Sequence, residues 1–292
     1  MNAKEPEAAR RRAKLVLRYV DMQAPSMLVE PPPPPPPIGS TTAAAASGKP
    51  SGWLSSVFHS AAPSTDGPSE APPPSLPHID TSTHDLPLDS FVNELQQIAW
   101  LPVLSEPPAP FVPWDAALCT APVAVPSGLR PRDDMWLASA SCRILDGEVR
   151  SDSLRSLLGW QTPPDLYVLA AQLGALARSP APSDDESADA FKRSMAVAVP
   201  TLYKALDSAL SGADSSGEGA AVLAALSEQP CIWSGESFVL PASTAMRSPL
   251  NLAPHLHTVP AGLQVFAGLL SKLGVRPHIE AGQYLQLLET LA

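Results

Sequence analysis

The chain has 292 residues, and its 29 acidic and 19 basic side chains give it a formal net charge of −10. This acidic balance argues against a nucleic-acid partner, because a protein that binds the phosphate backbone needs a basic face. An uninterrupted run of about 18 apolar residues, the length that spans a bilayer, does not occur, so we expect no membrane partner either.

The first predicted element is a basic amphipathic helix over residues 1–22. Ala9, Ala13, Val16 and Val20 follow one another at steps of four, three and four, which is the spacing of one helix face. The segment is also rich in arginine, which is typical of organellar transit peptides, although such peptides avoid the two glutamates found here. We therefore expect a cytoplasmic protein, with an organellar destination as the alternative.

Residues 23–86 predict a disordered linker. They contain 15 of the 36 prolines, and alanine, serine, threonine and glycine fill most of the rest. Such a composition buries too little apolar surface to offset the entropy lost on ordering. The proline run favours a polyproline II helix, which could present Pro31, Pro34 and Pro37 to an SH3, WW or profilin-like groove. An inert spacer is the alternative interpretation.

From residue 87 to the C-terminus the sequence predicts one globular region of the α+β class, mostly helical, with short β-hairpins. Helix caps, apolar periodicity and turn residues define the elements of its first half. They are a helix over 89–99, an edge strand over 100–104, a β-compatible stretch within 135–145 that ends at Asp146-Gly147, and helices over 153–158 and 165–177.

A break over 179–186 predicts a sub-boundary within this region. The capping box Ser183-x-x-Glu186 predicts a long helix to residue 210, and Ser215-x-x-Glu218 predicts a shorter helix to residue 226. The remaining predicted elements are a β-hairpin over 230–240, a helix over 263–273 closed by Gly274, and a last helix over 284–291.

Candidate catalytic and metal-binding motifs are incomplete. Gly48-Lys49 lacks the earlier glycine of a phosphate-binding loop, and Ser237 lacks the second glycine of a nucleophile elbow. His255 and His257 share one side of an extended segment, but no third zinc ligand lies nearby in the sequence. We therefore expect no enzyme, no cofactor and no metal site.

The cysteines also carry no motif. Cys119, Cys142 and Cys231 are far apart, odd in number and form no C-x-x-C pair. A disulfide framework or a cysteine-rich zinc site is not expected, and buried free thiols in a reducing compartment are the prediction.

Three stretches of the globular region carry aromatic motifs in a fixed order. The first contains Trp100-Leu-Pro, the second Gly159-Trp-Gln-Thr-Pro-Pro, and the third Trp233-Ser-Gly. Together they resemble the second half of a sacsin repeat, over about 88–178 and 228–291, so that 87–292 is predicted to be a sacsin-repeat-like domain. The structural anchors expected for its core are Trp100, Trp136, Trp160 and Trp233.

The resemblance implies a chaperone or co-chaperone segment that binds proteins and is linked to heat-shock chaperones in protein quality control. The sacsin repeat begins with an ATP-binding module, and the motifs of that module are not found in this sequence. The implied function is therefore non-catalytic, with chaperones or unfolded clients as partners. The alternative is a proline-rich adaptor that binds SH3, WW or profilin-like partners.

The resemblance also implies open apolar faces, because in the family this half of a repeat packs against an upstream half. Apolar patches left uncovered in this way usually mark partner sites. Two helical faces are expected to be incompletely covered, one with Leu263, Phe266 and Leu270 and the other with Leu166, Leu169 and Leu173.

Overall fold

The computed structural model describes residues 4–27, 88–180, 182, 184–213, 217–248 and 252–279, together with the single positions 282, 284 and 289. This part of the chain contains eight α-helices. They are α1 (Lys4–Met27), α2 (Leu88–Gln97), α3 (Met135–Ala138), α4 (Asp152–Leu157), α5 (Leu166–Arg178), α6 (Asp185–Ala213), α7 (Glu218–Ser227) and α8 (Ala267–Lys272).

The same residues contain nine short strands. They are β1 (Leu101–Pro102), β2 (Val123–Ala124), β3 (Leu129–Arg130), β4 (Arg143–Ile144), β5 (Ile232–Trp233), β6 (Phe238–Val239), β7 (Thr244–Arg247), β8 (His257–Thr258) and β9 (Arg276–His278). Strands β1 and β2 pair antiparallel, as do β5 and β6. Strands β3 and β4 pair parallel, and β8, β7 and β9 form a parallel sheet in that order.

The prediction of an α+β fold that is mostly helical is confirmed. The hairpin predicted over 230–240 is also confirmed, since β5 and β6 pair directly across a tight turn. The parallel pairs were not expected from the sequence. Most of these strands are only two residues long, which is too short for the alternation of apolar and polar residues that predicts a strand. Their pairing depends on contacts between segments that are distant in the sequence.

Helix α1 is longer than predicted, and its buried face is shifted from the predicted stripe, of which Ala13 and Val20 are buried. It continues to Met27, so the first five residues assigned to the linker are helical. Leu17 is 2% exposed, whereas Val16 from the predicted stripe is 46% exposed. The side chains that α1 buries are Ala13, Leu17, Val20 and Ala24. The remainder of the predicted linker, from residue 28 to 86, lies outside the described residues.

The β-compatible stretch predicted within 135–145 is found at its end, where Arg143–Ile144 form β4 and Leu145 bridges to Val103. The start of this range is helix α3, which the sequence does not predict. The buried amide of Gln172, on α5, accepts the Ala140 N–H at 2.8 Å and donates to the Ser139 hydroxyl at 3.3 Å. The free backbone N–H just after this helix is therefore hydrogen-bonded by a side chain that is distant in the sequence. A local sequence pattern does not indicate such a contact.

Capping residues fix several helix ends. Asp165 accepts the Val168 N–H at 2.9 Å at the start of α5. At the start of α6 the acceptor is Asp184, at 2.8 Å from the Ser187 nitrogen, and the predicted cap Ser183 lies outside the described residues. The helix predicted over 263–273 begins as a 3₁₀-helix and ends, as expected, at Gly274, whose φ of 97° suits glycine. The last predicted helix falls almost entirely on residues that the structure does not describe.

Two apolar cores support the fold. The first core joins α1 to residues 95–160, and its buried members are Leu17, Val20, Ala24, Leu95, Trp100, Leu101, Val103, Ala124, Leu129, Leu145, Val149, Leu154, Leu158 and Trp160. The second core joins α5, α6 and α7 to the C-terminal strands. It includes residues on both sides of 179–186, so packing is continuous across the predicted sub-boundary. It also includes Leu137 on α3, so the two cores overlap in the sequence.

Candidate functional site

Three of the four predicted anchor tryptophans are buried. Trp100 and Trp160 belong to the first core and Trp233 to the second, while Trp136 is half-buried against the second core. The indole N–H of Trp100 donates to the Leu95 carbonyl at 2.8 Å, and that of Trp160 donates to the Leu129 carbonyl at 3.0 Å. Because their polar atoms are satisfied within the chain, these rings serve the core and do not face a ligand.

Around Trp233 an aromatic cluster joins α6 to β5. The Trp233 ring packs against Phe191 at a centroid distance of 5.8 Å and against Phe238 at 5.1 Å. The Tyr203 hydroxyl donates a hydrogen bond to the Cys231 carbonyl at 2.7 Å. It also accepts one from the backbone N–H of Trp233 at 3.2 Å. Burial raises the pKa of Tyr203, so the phenol stays neutral and acts as a structural link.

The two apolar faces expected to be open are covered within the chain. Leu263 and Leu270 are buried, and Phe266 is half-buried against the second core. On α5, Leu166, Leu169 and Leu173 are buried as well. The expectation that these faces are open is therefore wrong, because α5, α6, α7 and α8 pack on one another and leave these side chains inside the core.

An open groove lies instead on the other face of α5, between that helix and α7. Its volume is about 300 Å³. The residues that line it are Tyr167, Ala170, Ala171, Gly174, Arg178, Ala221, Val222, Ala225, Leu226 and Gln229. The sequence patterns pointed to the leucine face of α5 and missed this groove. The available signal was the spacing of Tyr167, Ala171, Gly174 and Arg178, which puts them on one helix face.

The side chains of Arg178 and Gln229 lie close together at one end of the groove. Among the described residues that line it, Arg178 is the only charged one. A Cβ atom at Gly174 would lie 3.3 Å from an Arg178 guanidinium nitrogen and 3.5 Å from the Gln229 amide oxygen. Glycine at this position therefore lets both side chains lie close over α5. The groove combines a floor of small apolar side chains with one cation and one amide.

Other predicted site residues form no reactive arrangement. Pro31, Pro34 and Pro37 lie outside the described residues. The Ser237 N–H donates to the Ser234 hydroxyl at 3.2 Å in the turn between β5 and β6. Within the described ranges, no group of three or more His, Cys, Asp or Glu side chains is placed to hold a metal ion. Among those same residues, no helix is long and apolar enough to cross a membrane.

The three thiols differ in access. Cys231 is buried, and burial raises its pKa to about 12, while Cys119 and Cys142 are half-buried. Burial also raises the pKa of Cys119 and of Cys142, with nearby arginines acting in the opposite direction. Since the thiolate is the reactive form, all three side chains are slow nucleophiles at neutral pH.

We expect iodoacetamide to modify Cys119 and Cys142 of the folded protein before Cys231. Alkylation of Cys231 requires opening of the second core, because its thiol is both buried and protonated. Peptide mass spectrometry over a time course measures the order. In denaturant the three rates should converge, and preferential labelling of Cys231 in the native protein would contradict its placement.

Comparisons with known proteins add no relative. No family model matches the chain, and neither a curated protein nor a solved structure matches it. The resemblance to the sacsin repeat therefore depends on the sequence motifs alone.

Proposed function

We propose that this chain is a non-catalytic protein-binding module, a chaperone or co-chaperone segment similar to half of a sacsin repeat. The observation that carries the proposal is the open groove between α5 and α7. The sequence motifs support the family, and the groove supplies a surface with the chemistry of a peptide site. The proline-rich adaptor remains the alternative prediction.

The floor of the groove suits an apolar peptide segment. Ala170, Ala171 and Gly174 on α5 face Ala221 and Ala225 on α7 across the groove. Small side chains let a partner's larger apolar side chains approach both helices closely, and the volume of about 300 Å³ is at the lower end for a ligand site. The groove is therefore large enough for one or two side chains of a peptide.

The polar end of the groove selects the charge of that peptide. Arg178 is exposed at the last turn of α5, and Gln229 offers an amide beside it. A carboxylate next to the apolar segment would meet this guanidinium, which donates hydrogen bonds in a fixed geometry. The proposed occupant is thus an apolar segment of an unfolded client with an adjacent acidic residue. With so few directional contacts, we expect micromolar affinity and little selectivity.

An aggregation assay tests the function. Citrate synthase is heated with a several-fold molar excess of the protein, and light scattering is followed over time. Wild-type protein is expected to delay aggregation. Ala171→Phe and Ala225→Phe should abolish most of the delay, because both side chains are exposed and their replacements fill the groove.

Val197→Phe is the matched control. Val197 is exposed on α6 and does not line the groove, so this variant adds the same ring elsewhere and should delay aggregation like wild type. Circular dichroism must show all variants folded. If folded wild-type protein gives no delay, the protein-binding function is wrong. If both groove variants delay aggregation as wild type does, the function resides on another surface.

A further inference from the structure

We propose that the outward face of helix α1 is a second docking surface, and that its partner is an amphipathic helix with acidic residues beside an apolar stripe. The surface lies on the first core and shares no residue with the groove between α5 and α7. The proposal does not depend on the function assigned to that groove.

The inward face of α1 is firmly attached. Besides its buried apolar side chains, Arg10 donates through Nε to the Val103 carbonyl at 3.0 Å. Lys14 forms an ion pair with Asp146 at 2.7 Å. At the other end of the helix, the Asp21 carboxylate accepts the backbone N–H groups of Arg150 and Ser151. The helix therefore keeps its orientation, and the same residues always face outward.

The outward face carries an apolar stripe. Leu15, Tyr19 and Met22 are 64%, 64% and 77% exposed, and we call them the outer stripe. Their spacing of i, i+4 and i+7 is the spacing by which a helix anchors itself on another helix or in a groove. Of the nine large apolar side chains that are exposed in the described part of the chain, four lie on α1. Exposed apolar surface is thus concentrated on this helix.

Cations flank the outer stripe on both sides. Arg12 and Arg18 each lie three positions from Leu15, so each is its neighbour on the helix surface, one on either side. Both arginines are exposed, and neither forms an ion pair within the described residues, whereas Arg11 pairs with Glu7. Six basic and three acidic residues give α1 a net charge of +3, so the rest of the chain, of total charge −10, carries −13.

This charge pattern distinguishes three candidate partners of the outer stripe, namely a second copy of the chain, a membrane and another protein. Two copies of α1 stacked on their outer stripes would bring like charges together, which costs free energy. An anionic membrane would attract α1 but repel the strongly acidic remainder of the chain, and the outer stripe of three side chains buries little in lipid. A protein helix with glutamates beside an apolar stripe can bury the outer stripe and pair its carboxylates with the two arginines.

Binding of a designed peptide by the full chain tests the proposal. The probe is a fluorescent helical peptide with leucines at i, i+4 and i+7 flanked by glutamates, and its matched control has lysines in place of the glutamates. Fluorescence anisotropy should show that the acidic peptide binds about tenfold more tightly than the lysine peptide, with the difference decreasing as salt rises.

Two variants separate the contributions of charge and apolar surface. Arg12→Glu combined with Arg18→Glu should reverse the preference between the peptides. Leu15→Gln, Tyr19→Gln and Met22→Gln together should abolish binding of both. These side chains are exposed, so melting temperatures should stay close to that of wild type.

Four outcomes would overturn the proposal. They are equal affinity for the two peptides, unchanged binding by the triple variant, sedimentation of the protein with phosphatidylserine vesicles that the triple variant loses, and a dimer in solution that the triple variant disrupts. The last two would assign the outer stripe to lipid or to a second copy. None of them affects the aggregation assay of the groove variants, which contain an intact α1.

Discussion

Replacing Trp233 by alanine is expected to lower the free energy of unfolding by about 3–5 kcal/mol, the range for removing a large aromatic side chain from a core. The ring is buried between Phe191 and Phe238 and makes edge-on or tilted contacts with both. Truncation leaves a cavity that the rigid helix α6 cannot close, so both the transfer free energy and the packing contacts are lost.

The measurement is chemical denaturation followed by circular dichroism. Tyr167→Ala is the control, because Tyr167 is an exposed aromatic side chain and its truncation should change stability by no more than about 0.5 kcal/mol. The stability of Trp233→Phe should lie between those of the two alanine variants, since phenylalanine keeps part of the aromatic contact with Phe191 and Phe238. If the Trp233→Ala variant is as stable as the Tyr167→Ala variant, the placement of Trp233 in the core is wrong.

Helices with local signals could be predicted from the sequence almost to the residue. The sequence predicts a helix over 153–158, and α4 occupies Asp152–Leu157; it predicts another over 165–177, and α5 occupies Leu166–Arg178. Each has a side-chain cap and leucines at helical spacing, so the information is contained within one or two turns. Signals of this range do not require knowledge of the rest of the fold.

The errors concern contacts between distant segments. The end of α3 depends on Gln172, which lies more than 30 positions away. The pairing of β7 with β8 and β9 brings together three segments that are separate in the sequence. In both cases tertiary contacts override local preference, which a pattern read along the chain cannot reveal.

The candidate site illustrates the same limit. The leucines of α5 define an apolar face, and the sequence alone does not show that α6 covers it. The groove is formed by alanines, such as Ala171 and Ala225, whose small side chains contribute little to apolar periodicity. Only the placement of α7 beside α5 turns two ordinary helix surfaces into a concave one.

Leu17→Ala is expected to destabilise the protein by about 2–5 kcal/mol, because it creates a cavity in the first core. Leu17 belongs to the buried face of α1, and a Cβ atom at Gly147 would come within 2.9 Å of its Cδ2 atom. Its methyl groups therefore fill the space above the turn at Gly147. This contact makes α1 part of the folded domain and not an independent segment.

Leu15→Ala is the matched control, two positions away in the same helix. The same methyl groups are removed from a side chain that faces outward, so stability should change by no more than about 0.5 kcal/mol. Thermal melting of the two variants measures the difference directly. Equal melting temperatures would mean that α1 does not pack through Leu17. A large loss for Leu17→Ala alone would also weigh against the organellar alternative, because a transit peptide is cleaved off and cannot supply a core side chain to the mature protein.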